Sequence, residues 1–225
     1  MEKPVNTQTS AVSAVQSPRR YDSTRRRAAA AARRTRILDA ARECFVSKGY
    51  AATTIASIAA VADVAPDTVY TLVGRKAEVF AELIELALSG TDHPVPGAQR
   101  DYAVRMRAAP TAREKLTIYA DAITGLQGRL APLFLVLRDA AAADDELRAL
   151  WESITARRAR NMRLLAADLA TTGELRDDLT LDEAADVIWT MNSSEYYAML
   201  VLDRGWPVAR FRDWLIDSWC RLLLG

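Results

Sequence analysis

The sequence predicts an all-α protein: an N-terminal three-helix helix-turn-helix domain followed by a C-terminal helical bundle. Three observations carry this expectation. Apolar residues recur at spacings of three and four through most of the chain. No stretch alternates apolar and polar residues as a half-buried strand would. Gly49, Pro66, Gly74, Gly173 and Pro207 stand where periodic runs stop or start. Half of the 225 residues are hydrophobic, so the chain can bury a full core in one or two domains.

The elements follow in order. Residues 1–28 mix Ser, Thr, Gln, Ala and Pro without a period and read as a disordered, Arg-rich arm. Residues 29–90 read as the helix-turn-helix domain. Ile37, Leu38, Ala41, Cys44 and Phe45 give helix one its apolar face, and Gly49 sits where a left-handed C-cap would end it. Thr53 and Thr54 offer an N-cap for "IASIAAVA". "DVAP" then forces a turn, because Asp63 tolerates the left-handed conformation and Pro66 suits the first turn of a new helix. "PDTVYTLV" is a short third helix ended by Gly74, and "KAEVFAELIELAL" is a longer fourth. Residues 91–225 open with a Pro- and Gly-containing linker that holds a short helix. Five amphipathic patterns follow, beginning at "AREKLTIYADAITGLQ", "LAPLFLVLRDAAAA", "DDELRALWESITARRARNMRLLAADLA", "LDEAADVIWTMNSSEYYAMLVLDRG" and "PVARFRDWLIDSWCRLLLG".

Charge is divided unevenly. The net charge is +1, but residues 1–36 hold 9 Lys and Arg against 2 Asp and Glu, leaving 21 basic against 27 acidic residues in the rest. Such a cationic end fits an anionic partner. Cys44 and Cys220 lie in apolar helical patterns and read as reduced core thiols. No run reaches the roughly 20 uncharged apolar residues of a membrane span, and a cytoplasmic protein with no membrane partner is expected. The lone histidine, His93, is a solvated linker residue, and there is no phosphate loop, nucleophile elbow or metal-ligand spacing. Neither an enzyme nor a cofactor is expected.

Two short helices joined by a tight turn place the second helix in the major groove of double-stranded DNA. Asp67 and Thr68 would then face base edges, and the Tyr70 hydroxyl would reach a phosphate. Asp67 would act either as a partner of the helix dipole or as an acceptor from a cytosine amino group. Arg75 and Lys76 open the next helix, where free N–H groups favour phosphate. Arg33, Arg34 and Arg36 extend the basic arm toward the DNA backbone or the adjacent minor groove. These residues resemble a known family: "TTIASIAAVADVAPDTVYTLVGRKAEVF" is similar to the DNA-binding segment of the tetracycline-repressor (TetR) family, over residues 33–88. The resemblance implies a homodimer on a palindromic operator, released by a small-molecule ligand held in the C-terminal bundle. It places Thr54, Pro66, Asp67, Thr68, Tyr70 and Lys76 among the DNA contacts. Three positions depart from the family pattern: Asp63 replaces the usual turn Gly, Ala65 the capping Ser, and Leu72 or Val73 an aromatic residue.

For the ligand, Trp189, Asn192 or Ser193, and Tyr196 fall on one stripe of a single helix, with Phe134, Arg138, Trp151 and Met162 as candidates on neighbouring helices. Arg138 would suit an anion and Glu195 a cation. The same stripe would serve equally as core. Phe211, Trp214, Leu215, Trp219 and Leu222, near the C-terminus, are the expected dimer face. The competing class is a helical adaptor with incidental nucleic-acid binding.

Overall fold

The computed structural model describes residues 18–90 and 99–225, with side chains from residue 25 onward; residues 1–17 and the linker residues 91–98, His93 among them, lie outside this description. Ten α-helices make up the described chain: α1 Pro18–Ala52, α2 Ile55–Ala62, α3 Pro66–Leu72, α4 Lys76–Ser89, α5 Asp101–Ala108, α6 Ala112–Ala140, α7 Asp145–Ala170, α8 Leu181–Met191, α9 Ser194–Tyr197 and α10 Val208–Leu223. A π-helical turn, Ala198–Asp203, follows α9. No strand occurs among the described residues beyond one isolated bridge, Leu175 with Leu224.

Helix α6 is the spine. It packs on α1, α4, α5, α7, α9 and α10. Leu116, Ala120, Ala131, Leu133 and Leu137 on it are fully buried. The sequence suggests two helices here, yet α6 runs unbroken through Pro132. The ring removes one backbone hydrogen bond, to the Gly128 carbonyl, and the buried packing of α6 on its neighbours holds the helix through it.

Helix α1 differs from expectation at its start. It is helical from Pro18, so the arginines from 25 to 36 ride on a helix rather than an unstructured arm. Their neighbours are the five consecutive alanines 28–32, and Ala and Arg are both strong helix formers. At the other end Gly49 breaks the α1 pattern at φ 76° and ψ 173°, a conformation open to glycine. Tyr50 therefore turns back onto Phe45 and Phe80, with ring centroids 5.7 and 5.4 Å away.

The segment read as one helix over "IWTMNSSEYYAMLV" is broken. Asn192 caps the C-terminus of α8, and the Ser193 side chain accepts from the Tyr196 N–H to open α9. Asn and Ser side chains compete for backbone groups, which explains why the break falls at Asn-Ser-Ser. Cys44 and Cys220 are buried and reduced, as expected.

Phe80 is fully buried in the aromatic cluster that joins α1 to α4. Phe80→Ala is expected to lower unfolding free energy by about 3–5 kcal/mol, measured by urea denaturation; a loss below about 1 kcal/mol would show that the cluster does not hold the two helices together.

Candidate nucleic-acid interface and buried polar network

The α2–α3 corner is made by short-range chemistry. Thr54 accepts from the Ser57 N–H at 3.0 Å while Ser57 Oγ accepts from the Thr54 N–H at 3.1 Å, a reciprocal capping box. Asp63 adopts φ 52° and ψ 55°, and its N–H reaches the carbonyls of Ala59 and Ala60. The two helices meet at 97°. Ala65 caps α3 without a side-chain bond, as its sequence position implied, and Pro66 takes the first helical position. Val69 is fully buried and anchors α3 to the domain. Pro66, Asp67, Tyr70 and Thr71 are exposed and Thr68 is half-buried, so one face of α3 projects outward. Thr71 belongs to this face and sequence reasoning missed it; its hydroxyl donates to the Asp67 carbonyl at 2.8 Å.

The start of α4 is not an open phosphate site. Glu78 fills it: its carboxylate accepts from the Arg75 N–H at 2.7 Å and faces the Arg75 guanidinium at 3.4 Å. Gly74 is required because a β-carbon there would strike that carboxylate. The Arg75 N–H holds the Glu78 carboxyl below its ordinary pKa. Lys76 is also engaged within the chain, donating to the Tyr50 carbonyl at 2.8 Å and lying 4.1 Å from the centre of its ring. Burial lowers the Lys76 pKa. Arg34 pairs with Glu82, whereas Arg33 and Arg36 stand exposed along α1.

In the bundle the expected ligand residues divide. Met162, Trp189 and Asn192 come together around two groups the sequence reading missed, Tyr119 and Arg158. Asn192 Nδ2 donates to Tyr119 Oη at 2.7 Å and to Met162 Sδ at 3.0 Å. Arg158 Nε donates to Asn192 Oδ1 at 2.9 Å, and its guanidinium lies 4.3 Å from the Trp189 ring centre. Gln127 bonds the Asn192 carbonyl and accepts from Ser194 Oγ at 2.9 Å. Burial raises the Tyr119 pKa, so its hydroxyl stays protonated. A signal for Arg158 was present: Ile154, Met162, Leu165 and Leu169 form a buried stripe of α7, in which the half-buried arginine occupies an apolar position.

The other candidates are elsewhere. Ser193 is a cap, and Tyr196 stacks on Trp214 at 5.9 Å. Phe134 lies in the core, and Trp151 is half-buried. Arg138 and Glu195, expected to suit ligands of opposite charge, pair with each other at 3.2 Å. The expected dimer face also needs correction. Phe211, Leu215 and Trp219 are fully buried within their own chain, with Trp219 stacked on Tyr119 at 5.7 Å. Their shared helical face covers the bundle core, so only Leu222 and the half-buried Trp214 remain near the surface.

A tight helical corner with a projecting second helix, carried below a helical bundle, defines a helix-turn-helix DNA-binding protein. The sequence model described as "Bacterial regulatory proteins, tetR family" matches residues 37–83. That match covers the helix-turn-helix segment from helix α1 to α4. A search of curated proteins finds no match. Solved structures share the fold. NalD, the secondary repressor of the MexAB-OprM multidrug efflux pump in Pseudomonas aeruginosa, is 22% identical, with 85% of this chain and 95% of that chain covered and a TM-score of 0.66. A transcriptional regulator from Saccharomonospora viridis in complex with choline is 20% identical, covering 85% and 97%, with a TM-score of 0.63. SmeT in its triclosan complex is 22% identical, covering 86% and 92%, with a TM-score of 0.62. No single described helix is long and apolar enough to cross a membrane.

The Glu78 cap carries a pH signature. Its folded-state pKa is depressed, so its stabilisation is present above the unfolded value of about 4.3 and is lost as pH falls through the folded one. Glu78→Gln should therefore lower the melting temperature most near neutral pH, and the gap from the parent protein should close as pH falls through the depressed folded-state value. A gap independent of pH would remove the charge from the explanation.

Proposed function

We propose that the protein is a dimeric repressor of the TetR type, bound to a palindromic double-stranded DNA operator and released from it by a small-molecule ligand. Residues 29–90 serve as the DNA-binding unit and residues 91–225 as the ligand-binding and dimerising unit. The single observation that carries this reading is the outward face of α3, Pro66, Asp67, Thr68, Tyr70 and Thr71, held on a buried Val69 anchor. Thr68 and Asp67 read base edges, while Tyr70 and the exposed Arg75 bind phosphate. Thr54 positions this face through its capping box, and Lys76 acts through Tyr50 unless it swings outward on binding. The helical start of α1 tracks phosphates with Arg33 and Arg36. A helix about 10–12 Å wide does not enter a minor groove about 6 Å wide.

Two recognition helices are needed for two half-sites. With the apolar face of α10 turned inward, the pairing surface is proposed on Met199, Leu202 and Val208, exposed by 47%, 52% and 47%, beside the half-buried Trp206. NalD is named as a repressor, and SmeT and the S. viridis regulator are seen with triclosan and choline; these relatives support a ligand-responsive repressor.

Fluorescence anisotropy on a labelled operator tests the reading. Arg75→Ala should weaken binding and reduce the salt slope by about one unit per protomer, whereas Thr68→Ala should change the preference among sequences. Sequence-independent binding by the parent protein would reject the operator model. For the dimer, Leu202→Arg should shift the protein toward monomer in analytical ultracentrifugation without lowering its helicity. A dimer that survives this change and Met199→Arg would place the interface elsewhere.

A further inference from the structure

Arg158 is in an unusual setting. Five other arginines of the bundle face carboxylates, Arg138 with Glu195, Arg148 with Asp145, Arg157 with Glu85, Arg163 with Asp182 and Arg176 with Asp178, while the exposed Arg204 and Arg210 lie over Trp206. All five paired cations are more than one-third exposed at the side chain. Arg158 is more buried than they are, yet no carboxylate among the described residues lies within ion-pair distance of it. Its surroundings are neutral: Asn192 Oδ1, the Trp189 carbonyl and the face of the Trp189 ring. Burial lowers its pKa, and the charge of Glu195 is felt only at a distance, Glu195 itself being paired with Arg138. The two hydrogen bonds do cap the C-terminus of α8, where a cation is favourable. They engage two of the five N–H groups of the guanidinium and supply no counter-charge. A desolvated, unpaired charge is costly, and an anion that reaches it is bound strongly.

A cleft of about 400 Å³ lies between α7 and α8. Ala159, Met162, Ala185 and Trp189 supply apolar wall, and Arg160, Asp186 and Arg163, itself paired with Asp182, also line it. Met162 and Trp189 are shared with the buried network, since Met162 Sδ accepts from Asn192 and Trp189 covers the guanidinium. The indole N–H of Trp189 is buried without a hydrogen-bond partner. The Trp189 side chain therefore touches both the cleft and the half-buried cation.

We propose that this cleft binds a small organic monoanion, a carboxylate on a flat apolar body, with Arg158 as its counter-ion and Trp189 as the wall that moves to admit it. The proposal rests on the reading of the bundle as a ligand-binding unit and specifies the class of ligand. A carboxylate meeting Arg158 edge-on takes two parallel hydrogen bonds and competes with Asn192 Oδ1 for Nε. Asn192 is then freed from the guanidinium at the α8–α9 break, and Gln127 carries the change to α6.

Cinnamate and its neutral isostere cinnamamide are the probes, titrated calorimetrically into the full-length protein. Cinnamate should bind once per chain, with cinnamamide at least about tenfold weaker, the scale of a lost charge-assisted bidentate contact. Arg158→Met should reduce cinnamate to the level of the amide, and Arg148→Ala, at the start of α7 away from the cleft, should leave it unchanged. Asn192→Asp supplies an internal carboxylate to Arg158, so it should abolish cinnamate binding and raise the melting temperature; it carries the test if Arg158→Met does not fold. Equal affinity for the two probes, no cinnamate binding at millimolar concentration, loss of binding in Arg148→Ala, or undiminished binding in Asn192→Asp would each overturn the proposal. Operator binding without any probe is measured in parallel. A protein that binds its operator but not cinnamate loses this proposal alone, whereas one that binds cinnamate but no operator loses the repressor reading.

Discussion

Packing of α6 against six other helices is the constraint on which the rest of the structure depends. A helix about 1.5 Å per residue long spans both parts of this molecule in its 29 residues. It packs on α5, α7, α9 and α10, and it also meets α1 and α4. Because α1 and α4 frame the helix-turn-helix, the recognition helix has no independent position: α3 is held by Val69, by α2 and by α1, and α1 is held by α6. Two polar links fix this junction. Arg42 donates to the Arg129 carbonyl at 2.9 Å, and Arg157 pairs with Glu85 at 2.8 Å. Exposed ion pairs add little stability, so the apolar packing sets the strength of the junction and these links set its register.

Local chemistry made the DNA-binding half legible. Thr54, Asp63, Pro66 and Gly74 each act within a few residues of their own position, by capping, by tolerating a left-handed turn, by fixing φ or by leaving room for a neighbour. Such effects can be read without knowing the fold. Lys76 could not be read this way. Whether its ammonium meets a phosphate or the Tyr50 carbonyl depends on a residue 26 positions away, brought there by the turn at Gly49. Glu78 was closer at hand, three residues after Arg75, and the capping-box spacing announced it; the expectation of a phosphate overlooked the chain's own carboxylate.

The bundle was less legible because its helices are amphipathic in more than one direction. Periodicity gives the apolar face of α10 but does not say whether its own chain or a second copy covers it. Phe211, Leu215 and Trp219 answer that by being fully buried in one chain. Likewise the Trp189-to-Tyr196 stripe presumed an unbroken helix, and the Asn-Ser-Ser break rotates its two halves apart. The residues that matter most there, Tyr119, Gln127 and Arg158, are polar side chains at apolar positions of otherwise regular stripes. Looking for polar exceptions to the helical period would have found all three.

That same break bears on how a ligand in the bundle could affect DNA. Coupling between sites requires an element with two arrangements that both sites bias. The interval from Asn192 to Asp203 is the part of the bundle where backbone bonding changes pattern twice, from α-helix to cap and from a four-residue helix to a π-helical turn. It is tied to α6 by Gln127 and to α7 by Arg158. π-Helical turns persist where tertiary contacts compensate their poorer geometry, and they recur at functional sites. A change in the Arg158–Asn192 contact therefore acts on the least regular backbone of the bundle, at the point where it grips the helix that positions α1 and α4.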